Sequence, residues 1–128
     1  MIARVFITAG LLLAAAGFGA ATAQESGRSV WQGVFTPEQA TRGQAVYAQR
    51  CGACHGAALN GTGEAPPLIG GEFISHWDTM SVGDLFDRVR TTMPQNDPMS
   101  MTREEYADVV AYLLQTNGFP AGQAPLDR

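Results

Sequence analysis

The 128-residue sequence contains no lysine, and its eight arginines face twelve acids for a formal net charge of −4. Without a basic stripe the chain is not built to hold a phosphate backbone, and docking through a ring of lysines is excluded. Cysteine and histidine are scarce, since Cys51, Cys54, His55 and His76 are the entire stock. A structural zinc usually takes four such ligands, so it would need every one of them at an unusual spacing. No stretch shows the apolar–polar alternation of a strand, which removes the βαβ setting expected of a thioredoxin-like Cys pair. Long apolar runs are also missing. The one near the N-terminus is broken by Gly10, Gly17 and Gly19 and is short for a bilayer span.

That run instead reads as a secretory leader over residues 1–23. Arg4 supplies the positive start, Val5 to Ala16 the apolar centre, and Ala21-Thr22-Ala23 an A-x-A cleavage site before Gln24. No cysteine stands at the cleavage point, so a lipid anchor is not indicated. The expected compartment is the periplasm. Losing Arg4 leaves seven arginines against twelve acids, a charge of −5. The remaining chain is one small domain with a limited core of its own.

The stretch that carries chemistry is Cys51-Gly52-Ala53-Cys54-His55. C-x-x-C-H is the attachment signature of a c-type haem. Two thiols must reach two vinyl groups on one edge of a rigid porphyrin, and the following His offers an imidazole nitrogen to the iron. Gly52 and Ala53 are small enough for the backbone to lie close to the macrocycle. A plain disulfide suits an exported protein but gives His55 no role. A large covalent disc would also enlarge the core.

Residues 24–35 read as a flexible lead-in, tacked down by Trp31 and Phe35. The domain proper spans 36–118. Thr36 as N-cap, Pro37 at the first helical position and Glu38 in the first turn predict a helix over Pro37–Arg50. Gly43 within it costs about 1 kcal/mol relative to Ala, unless another helix approaches closely there. Residues 56–71, rich in Gly and Pro, are loop, and a short turn of helix is expected near Glu72–Ser75. Ser81 with Asp84 is a capping box for a helix over Val82–Arg90, which must stop before Pro94. Thr102 with Glu105 is another, for a helix over Arg103–Gln115 whose Tyr106, Val109, Val110, Leu113 and Leu114 repeat at helical spacing. Asn117-Gly118 ends it, and 119–128 is a frayed tail.

With these parts in place the chain resembles a class I (monohaem, His/Met) cytochrome c. The resemblance rests on Gly43 and Tyr47, the CGACH motif, the APPLIG loop, Trp77, the Met93-Pro94 loop and Tyr112. More narrowly, VGDLFDRVRTTMP and AYLLQTNGFPAG look like segments of small cytochromes that accompany or are fused to quinoprotein dehydrogenases. The resemblance implies an all-α fold of three to five short helices wrapped around one covalent haem c, its first and last helices crossing with Gly43 against Tyr112. It also implies thioether bonds from Cys51 and Cys54 and His55 as one axial ligand. Pro66 would orient His55 through its carbonyl, and Trp77 would donate to a haem propionate. Without the resemblance, Pro66 and Pro67 are loop-stiffening prolines and Trp77 a large core residue.

For the sixth position Met80, Met93, Met99, Met101 and His76 compete. Met93 is preferred because Pro94 follows it in a loop between two helices, where family members carry the axial Met. Met99 and Met101 follow it, Met80 reads as packing, and His76 as a surface residue. Arg88 and Arg90 read as solvated helix charges. The expected function is a non-enzymatic one-electron carrier, since filled axial positions leave no open site. The rival is a haem c relay subunit of a larger assembly, such as a quinoprotein dehydrogenase. A peroxidase or gas-binding cytochrome finds no distal acid–base pair beyond His76. Expected partners are redox proteins, including such a dehydrogenase and a terminal oxidase. Nucleic acid is excluded, and a membrane is met only through partners.

Overall fold

Each helix start marked by a capping signal is realised in the computed structural model, which describes residues 27–63 and 65–127. The proposed leader lies outside the described residues. In chain order the helices are α1 (Pro37–Arg50), α2 (Gly52–His55), α3 (Gly71–Trp77), α4 (Val82–Thr92) and α5 (Arg103–Thr116). Among the described residues there is no strand, only the isolated bridges Ser29–Ser81 and Thr62–Ala65. The chain is all-α, as expected.

At the head of α1 the Thr36 hydroxyl accepts from the Gln39 amide at 3.3 Å. At α4 the Ser81 hydroxyl accepts from the Asp84 amide at 3.1 Å, while the Asp84 carboxylate accepts from the Ser81 amide at 3.1 Å. The Thr102–Glu105 pair repeats this at α5, at 3.1 and 2.8 Å. Each such cap stabilises its helix by about 1 kcal/mol. Helix α4 runs past the predicted end at Arg90 to Thr92. The restriction from Pro94 falls on the residue before it, and Met93 is indeed extended (φ −127°, ψ 149°) and serves as the C-cap. Helix α3 likewise continues to Trp77, beyond the expected turn.

The core is α1 against α5. Ala40 and Tyr47 of α1 are buried against Ala107, Val110, Ala111 and Leu114 of α5, and α4 adds Val82, Leu85 and Phe86. At Gly43 the two backbones touch. A Cβ built there would overlap the Asp108 carbonyl and lie 3.0 Å from Tyr112 Cβ. The Tyr47 and Tyr112 rings pack beside this point with centroids 5.4 Å apart. Arg42 clamps it from outside, donating from Nε (2.9 Å) and Nη2 (2.8 Å) to the Asp108 carboxylate. That bond holds the Arg42 pKa above its usual value.

Both ends of the domain are packed more firmly than their composition suggested. The lead-in buries Val30, Val34 and Phe35 completely or nearly so. Its Arg28 carbonyl accepts from the Val82 amide at 2.8 Å. Trp31 is half exposed, yet its indole donates to the Asp78 carbonyl at 3.0 Å and its ring lies 4.5 Å from that of Phe119. In the segment read as a frayed tail, Leu126 is buried and paired in both directions with the buried Gln39 side chain, at 2.7 and 2.9 Å. These segments have no period because each docks through single side chains, so no pattern in the sequence marks them.

Candidate haem site

Cys51 is both the last cap of α1 and the first of α2. Its amide donates to the Tyr47 carbonyl at 2.9 Å, and its own carbonyl accepts from the Cys54 and His55 amides at 3.1 and 3.0 Å. One tight turn therefore places Cys51, Cys54 and His55 in a fixed relation. Both thiols are free, Cys51 half-buried and Cys54 exposed. Burial pushes the Cys51 thiol up to about 11. A thiol-exchange catalyst needs the opposite shift, so the burial of Cys51 disfavours a redox pair.

His55 is buried, and its Nδ1 lies 2.9 Å from the Pro66 carbonyl oxygen. A carbonyl can only accept, so Nδ1 is the donor, and in the neutral imidazole Nε2 keeps its lone pair. That is the tautomer a metal ligand requires, held by a partner that also fixes the ring plane. Gly61 makes the arrangement possible. Its φ of +77° and the absence of a side chain let the loop fold back, where a Cβ would come within 2.9 Å of the Pro67 nitrogen. Its amide donates to the His55 carbonyl at 2.9 Å, and the Thr62 hydroxyl donates to the Cys54 carbonyl. Two thiols at this spacing and an imidazole with a free Nε2 are the donor set a covalent haem needs. The residues fit the group.

The structure thus brings Cys51, Cys54, His55 and Pro66 together. Trp77 stands apart on α3, half-buried, with its ring 6.4 Å from Phe73 and 4.9 Å from His76. Met93 stands at the end of α4, half-buried, its peptide bond to Pro94 cis. Met99 and Met80 are exposed, at 57% and 38%, whereas Met101 packs against the core.

Two residues of the site were read from sequence only as structural. Asn117, taken as the end of the last helix, donates to the Leu68 carbonyl at 2.9 Å and accepts from the Gly70 amide at 2.9 Å. It thereby pins the loop that presents Pro66. Tyr106, taken as core, donates its hydroxyl to the Met93 carbonyl at 2.8 Å. Polar side chains at helix ends and in apolar stripes are too common for either role to announce itself.

Tyr47 secures the attachment turn. Its hydroxyl donates to the Gly56 carbonyl at 2.8 Å, and burial raises its pKa from 10.0 to about 12. Above pH 10 the unfolded chain releases this proton while the folded chain keeps it. Stability is therefore full below pH 10 and falls as pH rises through about 12. Guanidinium unfolding at stepped pH should show that loss for the parent and a flatter profile for Tyr47→Phe. Parallel profiles would remove the burial argument.

The chain belongs to the family described as cytochrome C oxidase, cbb3-type, subunit III, whose sequence profile matches residues 38–113. No curated protein matches it. Among solved structures, it is similar to a chain in the crystal structure of the sulfane dehydrogenase SoxCD from Paracoccus pantotrophus. The TM-score is 0.52 at 21% identity, over 82% of this chain and 59% of that one. At that identity the likeness shows the fold alone, and this chain spans little more than half of its neighbour's length. The family fixes the class: a monohaem, class I-like cytochrome c domain that binds haem c covalently and takes part in electron transport.

Proposed function

We propose that the protein is a periplasmic one-electron carrier with His55 and Met93 as the axial ligands, exported by a leader cleaved after Ala23. The observation that carries the reading is the His55–Pro66 contact, which commits Nδ1 and leaves Nε2 for iron. Bound haem c supplies an iron that passes between Fe(III) and Fe(II). Cys51 and Cys54 would hold the ring by thioether bonds. Met93 leads the other candidates for the sixth position because it is half-buried at a pinned loop end, whereas Met99 is exposed and Met101 packs against the core. A soft thioether donor and burial both favour Fe(II). As the resemblance implies, Trp77, half-buried on α3, would cover the haem edge and offer its indole N–H to a propionate. With both axial positions filled there is no substrate site, so the protein is not itself an enzyme.

A second reading has specific support. The matched family is described by an oxidase subunit and the similar structure is a dehydrogenase. Both favour a relay module bound within a larger oxidoreductase, a quinoprotein dehydrogenase being the partner that the resemblance suggests. Co-purification from native membranes and extract separates the two readings.

The test is direct. Expressed with a haem-attachment pathway, the protein should keep its colour through acid–acetone extraction. Its mass should equal residues 24–128 plus one haem. Cys51→Ser/Cys54→Ser should lose the colour to the solvent. A colourless product with an intact Cys51–Cys54 disulfide would overturn the proposal.

A further inference from the structure

The Met93 peptide is held at both ends by different helices. Its amide donates to the Val89 carbonyl of α4 at 2.9 Å, and its carbonyl accepts from the Tyr106 hydroxyl of α5 at 2.8 Å. We infer that Tyr106 is a positioning residue for the sixth iron ligand, its hydroxyl latching the loop that carries Met93 and so setting how readily the sulfur leaves. The inference rests on the proposal that Met93 is that ligand.

The latch is rigid. Tyr106 is fully buried, one turn into a helix whose start is closed by the Thr102–Glu105 capping box. Its ring meets Phe86 of α4 edge-on, with centroids 6.5 Å apart at 79°, and the Arg103 guanidinium covers the Phe86 ring at 5.4 Å. These contacts use the aromatic ring, and phenylalanine would keep them. The hydroxyl therefore has one separable task, and its acceptor belongs to the residue proposed to bind iron.

Other ties close the loop without reaching residue 93. The Asp97 amide donates to Pro94 at 2.9 Å and the Met99 amide to Arg90 at 3.2 Å. Arg50, next to Cys51, donates to the Ser100 hydroxyl at 2.6 Å from an exposed position. When the loop opens, the Met93 carbonyl exchanges Tyr106 for water. In Tyr106→Phe the carbonyl has its partner only in the open state, so opening becomes easier. A net hydrogen bond of about 0.5–1.5 kcal/mol corresponds to roughly a two- to tenfold change in that equilibrium.

Added imidazole reads the equilibrium, because it binds ferric iron only where Met93 has left. Titrations of the holo-protein should show Tyr106→Phe binding imidazole about two- to tenfold more tightly than the parent. Arg42→Gln, which breaks the Asp108 clamp on the opposite face of α5 from Tyr106, controls for general loosening and should leave imidazole affinity unchanged. In a Met93→Ala background nothing has to be displaced, so adding Tyr106→Phe should have no effect. Equal affinity for Tyr106→Phe and the parent would overturn the inference. So would a matching rise in Arg42→Gln, or a Tyr106→Phe effect that persists without Met93. Failure of the ligand reading shows separately, as a far-red sulfur-to-iron band that survives Met93→Ala.

Discussion

Gly43→Val should unfold far below the parent, losing at least about 3 kcal/mol, the upper end of what overpacking usually costs. For a domain of this size that is a fall in melting temperature of roughly 12–24 °C. The cause is what the new side chain would meet. A Cβ at residue 43 runs into the backbone carbonyl of Asp108, with Tyr112 Cβ 3.0 Å away. A flexible side chain could swing aside, but the Asp108 carbonyl is fixed within α5 and its carboxylate is gripped twice by Arg42. The crossing must open, and the tilted Tyr47–Tyr112 ring pair opens with it. Even Gly43→Ala should destabilise, although Ala is normally better than Gly within a helix by about 1 kcal/mol. Gly71, at the start of α3, has nothing within 4 Å of a built Cβ. Gly71→Ala should therefore be neutral or slightly stabilising. Thermal melts of the four holo-proteins check the set, and a Gly43→Val melt like that of the parent would place the crossing elsewhere.

Met93→Ala should abolish the weak far-red charge-transfer band of thioether-bound ferric haem. It should also lower the potential by something on the order of 0.1 V or more, part of the roughly 0.8 V span that axial ligands command. A soft donor stabilises Fe(II), and water in its place does not. The vacated position should admit carbon monoxide or azide and give the variant peroxidase-like activity that the parent lacks. Met99→Ala and Met101→Ala should retain the band, because Met99 is 57% exposed and the partly buried Met101 packs against the core. The band surviving Met93→Ala but vanishing in either of the others would move the ligand without touching the carrier reading. The chain has no lysine, and His76 sits against Trp77 on α3. Replacement of Met93 by a lysine of the same chain is therefore excluded.

What was legible in the sequence was local. The Ser81–Asp84 and Thr102–Glu105 boxes announce their helices because capping is settled within four residues, and both form as expected. The haem motif is legible for the same reason, since the porphyrin's fixed vinyl spacing is met within five residues. Gly43 against Tyr112 was readable only through the family likeness, and the structure adds that the hard contact is the Asp108 backbone. The Arg42–Asp108 clamp joins residues 66 apart, and Gln39 meets Leu126 across 87. Nothing local distinguishes Asp108 from any solvated helix acid. The burial of Val30, Val34 and Leu126 was hidden because irregular segments dock through isolated side chains, and periodicity registers only regular elements.

The central claim is a haem c whose two axial positions are both filled by this chain. Carbon monoxide, added to the reduced wild-type holo-protein, tests it most directly, with the ferric far-red spectrum recorded on the same sample. The account predicts a thioether band in the ferric protein and no change in the ferrous Soret band under carbon monoxide. A ferric spectrum without that band, with a ferrous form that binds carbon monoxide readily, would contradict it.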